Sequence, residues 1–279
     1  MKTIVAHIGP DLDAITSIWL IKVFFEEWED AAVVFVPAGK TLNGMDPDSD
    51  PEIWHVDTGF GKYDHHQTDE DTCAALRVYQ AVKEEHGADP ALERMLAVVN
   101  DVDHFREVFY PNPTADLWGM SLASLIDGWR LLHSEDPMKI VGLTMACLDA
   151  AYKVFQNKVW AEKEIAEKGT VFQTSMGEAL ALETINDEVV HLGQKRGYVI
   201  VIRRDPKKGY LRIKCLPKDE FDLTPLYDAM KAADPTATWF LHASRHILLN
   251  GSAKNPDMKP TTMNLGEIIE MVKKTYPAT

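Results

Sequence analysis

Two textures of apolar and polar positions divide the chain. Residues 2–7 form a short apolar run that breaks at Gly9-Pro10-Asp11 and passes into a segment, 14–28, of helical length and spacing. Strand-like runs follow at 32–36 and 53–57, with helical patterns at 72–85 and 90–99. Strands alternating with helices predict a parallel α/β sheet. From 114 to about 168 the pattern is helical, with a corner at 134–137 where Asp136 and Pro137 suit an N-cap and a first turn. A single helix over 138–168 would be roughly 45 Å long, enough to connect two domains. Past Gly169 short strands are expected at 171–174, 179–183, 198–204, 209–214 and 238–242, with 205–209 as a hairpin connection and 265–276 as a terminal amphipathic helix.

The expected architecture is α/β. It comprises an N-terminal doubly wound, mainly parallel sheet domain over 1–137, a helical linker over 138–168, and a smaller C-terminal α+β domain over 169–279. The 279 residues, 46% of them hydrophobic and 26% charged, suffice for one large or two modest cores and exclude a disordered or fibrous chain. Three scattered cysteines, with no CxxC or Cys/His grouping, support neither a disulfide framework nor a zinc finger. The N-terminus turns polar after six residues, and no 18-residue apolar window exists, so a cytoplasmic protein without a membrane span is expected.

Charge is unevenly spread. Residues 1–189 hold 14 Lys/Arg against 34 Asp/Glu, whereas residues 190–279 hold 15 against 9, a net of +6. Cation binding in front and anion binding behind would produce that split, as would an acidic solvated surface.

The informative polar residues sit at the expected carboxyl ends of strands, where ligands gather in open α/β sheets. His7 ends the first strand, with Asp11 and Asp13 in the loop after it. Asp57 ends the third, followed by Asp64-His65-His66 and later Asn100-Asp101-Val102-Asp103. Taken singly, Asp11 and Asp13 also suit a turn and a helix cap, Asp57 a turn, and Asp101 and Asp103 a solvated helix end. Together they form a carboxylate-rich set with few imidazoles and no thiolate, which suits Mn²⁺ or Mg²⁺ better than structural zinc. Four or five clustered aspartates repel one another unless divalent cations neutralise them. Two ions sharing a carboxylate, roughly 3.5–4 Å apart, would balance that charge and activate water.

These motifs resemble the DHH phosphoesterase superfamily, named for the triplet seen here as Asp64-His65-His66. The resemblance spans most of residues 1–105, in order, and implies two divalent cations, Mn²⁺ foremost and Mg²⁺ as the alternative. Carried over by position, it implies that His7 and Asp11 hold one ion and that Asp13, His65 and one acid of the fourth motif hold the other, with Asp57 bridging. His66 would face the substrate phosphate, and Asp64 would orient its neighbours. Two residues apart on a helix, Asp101 and Asp103 point about 200° apart, so only one should be a ligand. Asp101, directly after the apolar run 96–99, is preferred, with Asp103 in reserve.

The C-terminal half lacks the Gly-Gly-His motif of superfamily members that cut oligonucleotides. In its place stand His242, Arg245 and His246, then Asn250-Gly251-Ser252, whose guanidinium, imidazoles and turn amides can bind phosphate oxygens. The alternative is core histidines and a plain hairpin turn. The expected activity is hydrolysis of a phosphoester by a two-metal-activated water, on a small phosphorylated substrate such as a short oligonucleotide or dinucleotide. An inorganic-pyrophosphatase-like phosphoanhydride hydrolase and a non-catalytic metal-dependent nucleotide- or phosphate-binding protein are the alternatives. A net charge of −14 argues against a long nucleic-acid track. The long helical region leaves room for a homodimer but specifies none.

Overall fold

A computed structural model describes residues 1–252, 255 and 257–278. The protein is mixed α/β and divides into two compact units, Met1–Gln156 and Asn157–Thr279.

In the first unit, β1 (Thr3–His7) is the central strand of a three-stranded parallel sheet, flanked by β2 (Ala32–Val36) and β3 (Ile53–His55). Helix α1 (Leu12–Phe24) makes the crossover from β1 to β2. It is apolar around nearly its whole circumference because it is buried on all sides, with Ile15, Ile18, Trp19, Leu20 and Ile21 fully inaccessible. It ends four residues before the expected 28, since Phe25 turns extended to pack against Trp54. Helices α2 (Ala74–His86), α3 (Pro90–Asp103), α4 (Leu122–Leu132) and the first part of α5 (Pro137–Lys168) complete the core. The order β2-β1-β3 means that the chain leaves β1 in one direction and returns on its other side. The crevice at the carboxyl end of β1 is such a topological switch point, and it receives His7 from β1 and Asp57 from just past β3.

The second unit is a six-stranded mixed sheet in the order β4-β5-β6-β7-β9-β8. Its strands are β4 (Thr170–Thr174), β5 (Gly177–Glu183), β6 (Ile200–Arg204), β7 (Leu211–Cys215), β8 (Trp239–Leu241) and β9 (Ile247–Asn250). Only β5 and β6 run parallel, joined through α6 (Glu188–Lys195). Residues 205–209 form the expected hairpin, with Asp205 Oδ1 accepting from the amides of Lys207 and Lys208. Helices α7 (Thr224–Ala233) and α8 (Leu265–Thr275) pack on one face over Ile202, Ile213 and Leu248. Helix α6 covers only part of the other face, over Leu180, Leu182 and Val201. Among the described residues, no helix is long and apolar enough to cross a membrane.

Candidate metal centre

Two short loops at the carboxyl edge of the parallel sheet build the site. Asp11 is the N-cap of α1. Its Oδ1 accepts from the Ala14 amide at 3.0 Å, while Oδ2 stands 3.6 Å from His7 Nε2, so one carboxylate both starts the helix and faces the site. Arg130 on α4 donates to the carbonyls of Gly9 and Pro10 at 2.9 and 3.0 Å and thereby fixes the loop between His7 and Asp11.

Past β3, Asp57 adopts a left-handed backbone, φ 54°, which turns its carboxylate out of the strand register and into the crevice. An aspartate tolerates this conformation better than most residues, though at some cost in strain. Asp57 is buried and shared. Oδ2 lies 3.1 Å from His7 Nε2, and Oδ1 lies 3.5 Å from His65 Nε2 and 3.6 Å from His66 Nδ1. His65 Nε2 in turn lies 3.5 Å from Asp103 Oδ2 and 3.8 Å from Asp13 Oδ2.

Three sets of donors close enough to share an ion result: His7 with Asp11 and Asp57, Asp57 with His65 and His66, and His65 with Asp103 and His104. Within them, Asp57 Oδ1 and His65 Nε2 are buried without a hydrogen-bond partner. Leaving two such atoms dry and unmatched is costly, and a cation satisfies both. The donor set is oxygen-rich, with imidazole and no thiolate, so it fits Mn²⁺ or Mg²⁺.

Asp13 meets the cluster from behind. Its two oxygens accept from the amides of Ala74 and Ala75 at 2.7 and 2.8 Å, at the start of α2. Asp64 is fully buried. Its Oδ2 accepts from the Phe60 amide at 2.7 Å, and its Oδ1 accepts from His66 Nδ1 at 2.7 Å and from the His66 amide. Burial opposes ionisation of Asp64, but the hydrogen bonds from His66 and from the Phe60 amide outweigh it and hold the carboxyl below its ordinary value.

Electrostatics follow from the crowding. Burial and the neighbouring Asp57 and Asp103 carboxylates push Asp13 well above the ordinary carboxyl range, and Asp103 is raised mainly by burial. His7 is partly buried, which alone would lower it, yet Asp11 and Asp57 raise it to about 10; the Asp57 carboxylate chiefly raises His65 to about 9.

The fourth motif requires a correction. The structure brings Asp103, not the preferred Asp101, to the cluster. Asp101 instead accepts from Arg106 Nε at 2.9 Å and from the Tyr110 hydroxyl at 2.8 Å. The physical reason is the rotation of α3, whose buried stripe of Leu92, Leu96 and Val99 is continued by Asp103. Sequence reasoning missed His104, whose Nδ1 lies 3.6 Å from Asp103 Oδ2, although its place directly after the acidic motif was a usable signal. It also missed Arg130.

The expected substrate residues of the second unit are scattered. His242, Ser244, Arg245 and His246 form the β8–β9 hairpin. Arg245 is left-handed at φ 61° and pairs with Asp222 at 2.9 Å, His246 Nε2 contacts the Lys218 carbonyl, and His242 Nδ1 contacts Ser244. Asn250 is fully buried, which corrects its expected contact with phosphate. Its Nδ2 donates to the carbonyls of Thr238 and Lys259, and its Oδ1 accepts from the Thr261 amide. Gly251 and Ser252 line a cavity of about 380 Å³ together with Arg203 and Arg212.

A second cavity of about 380 Å³, in the first unit, is lined by His7, Asp11, Asp57, Phe60, His66 and Asp103, which gives the candidate metal centre an opening of small-molecule size.

No protein-family model matches the chain. No curated protein matches it. Among solved structures it is similar to a pGpG-specific phosphodiesterase, PggH, from Vibrio cholerae, at 13% identity and TM-score 0.33 over 92% of this chain and 94% of that one. It is also similar to an exopolyphosphatase-related protein from Bacteroides fragilis, at 12% identity and TM-score 0.25 over 98% and 91%. A third likeness is to a putative family II inorganic pyrophosphatase from Methanococcus jannaschii, at 13% identity and TM-score 0.25 over the whole of both chains. Likenesses this distant assign no residue of this chain.

Proposed function

We propose that the protein is a divalent-metal-dependent hydrolase of a small phosphorylated substrate. The observation that carries this reading is the position of Asp57. Its two oxygens face two separate donor sets, and one oxygen, with His65 Nε2, is buried and unmatched. His7, Asp11 and Asp57 would hold one cation, and Asp57, His65 and Asp103 a second, with Asp13 and His104 adding donors at the edge of that set. Such a pair of cations supplies Lewis acidity toward phosphoryl oxygens and lowers the pKa of water.

The chain's own groups do the rest. Asp64 accepts from His66 Nδ1 and so fixes the ring, whose Nε2 accepts a proton in the neutral form and, in the protonated form, donates to a phosphate oxygen or to a departing alkoxide. Asp57 supplies negative charge from a backbone conformation set before any substrate arrives, so no reorganisation is needed during the reaction.

The test is hydrolysis of pyrophosphate, dinucleotides, cyclic dinucleotides and a labelled single-stranded oligonucleotide with Mn²⁺ or Mg²⁺. Turnover of at least one substrate, lost in Asp57→Asn, is expected. Undiminished turnover in Asp57→Asn would overturn the reading.

A further inference from the structure

The sheet face left uncovered by α6 carries a pattern that the metal centre does not explain. Strand register places Arg203, Arg212, Leu249 and Phe240 side by side across β6, β7, β9 and β8. Directly paired residues project to the same face, so these four side chains form one row. The next row holds Lys214 opposite Ile247, and the His242 amide donates to the Ile247 carbonyl, which places His242 beside it. Phe240 is 49% exposed, a large aromatic ring on open sheet surface.

The cations of these rows are under-compensated. Like charges directly opposite on paired strands are destabilising, and Arg203 faces Arg212 across the β6–β7 ladder. A single carboxylate, Asp187, bridges them at 2.9 and 3.0 Å. Arg203 is 9% exposed, and its Nε is buried with no hydrogen-bond partner among the described residues. Beside it opens the cavity of about 380 Å³, where Arg203, Lys208 and Arg212 outnumber the two carboxylates of the lining, Asp187 and Asp205. Burial and the nearby Arg212 hold the Lys214 ammonium below its ordinary value, with Asp187 acting the other way.

We propose that this open face binds a nucleotide, with a base stacked on Phe240 and Leu249 and a phosphate held by Arg212, Lys214 and Arg203. An inorganic anion would use the cations alone. The aromatic ring in the same row calls for a flat apolar group joined to the phosphate, and a nucleobase supplies it. Phe240 and Arg212 stand two strands apart, about 10 Å, a span that an extended arginine side chain shortens to the reach of one nucleotide. The inference stands apart from the hydrolase reading, since every residue it uses lies in the second unit.

Binding to the full chain in EDTA, where no metal contributes, tests it with 5′-phosphorylated diadenylate and inorganic pyrophosphate as probes. Phe240→Ala should weaken diadenylate binding at least about fivefold and leave pyrophosphate binding unchanged. Arg212→Ala should weaken both, and Lys214→Ala serves as the second cation variant should loss of Arg212 disturb the Asp187 pairing. Circular dichroism checks that each variant folds. Wild-type diadenylate affinity in folded Phe240→Ala, or equal wild-type affinity for the two probes, overturns the proposal. Binding with these variant effects but no turnover of any substrate would sink the hydrolase reading and leave the binding face standing. Turnover of diadenylate by the wild type, with wild-type diadenylate binding in EDTA by Phe240→Ala, would do the reverse.

Discussion

Asp57 Oδ1 lies 3.5 Å from His65 Nε2, and both atoms are buried without a hydrogen-bond partner. At that separation, the outer edge of hydrogen-bond reach, the pair raises the His65 imidazole and also offers a third atom two ligands at once.

Mn²⁺ is therefore expected to raise the thermal midpoint of the wild-type protein, and an ion at a hundred times its Kd stabilises by about 2.7 kcal/mol. Calorimetric titration should count two ions per chain. Asp57→Asn removes the carboxylate both donor sets share and should abolish the stabilisation; a variant that still gained the wild-type increment would refute the shared-ligand reading.

Metal uptake should release protons. In the metal-free protein His7 titrates at about 10 and His65 at about 9, both above the ordinary 6.5, so both are protonated at neutral pH. Their contribution to stability is complete below pH 6.5 and is lost as pH rises through about 9 and then about 10. A cation needs the neutral imidazole, so its affinity should increase with pH. Calorimetry at pH 7 in two buffers of different ionisation enthalpy reads the proton count, and a count of zero would contradict it.

Asp103 and Asp101 should separate cleanly on substitution. Asp103→Asn is expected to weaken metal binding at least about tenfold, the scale seen for groups that support metal ligands. Asp101→Asn loses only the contacts with Arg106 and Tyr110 and should bind metal as the wild type does. Manganese titration followed by electron paramagnetic resonance distinguishes the two, and the opposite ranking would restore Asp101 as the ligand.

Asn250→Ala should act on folding alone. It leaves the carbonyls of Thr238 and Lys259 and the amide of Thr261 without their side-chain partner in a fully buried site, a loss on the order of 3 kcal/mol. Urea unfolding measures that loss. A stable variant with impaired substrate affinity would instead make Asn250 a contact residue.

Much of the first unit was legible because β1, buried on both faces, and the half-buried β2 and β3 beside it read as short apolar runs, with His7 and Asp57 marking their ends. The distinction between Asp101 and Asp103 was also present in the sequence, in the stripe of Leu92, Leu96 and Val99 that runs on to 103, but weighing adjacency to the apolar run over helical phase hid it. The second unit was harder to read. Helix α6 has only eight residues and includes Gly193, where a Cβ would come within 2.9 Å of Val201, a close helix-to-sheet approach that no local pattern announces. Strand β9 lay within the segment read as an anion-binding motif, and the partners of Asn250 come from Thr238, Lys259 and Thr261, positions that only the folded sheet brings together.

With two ions bound as proposed, the single carboxylate common to both donor sets makes the sites thermodynamically inseparable. Whatever factor the first ion imposes on the affinity of the second, through repulsion or through ordering of Asp57, the second imposes on the first. The two dissociation constants then belong to the pair, and a half-loaded protein is a distinct species whose population the concentration of free metal sets.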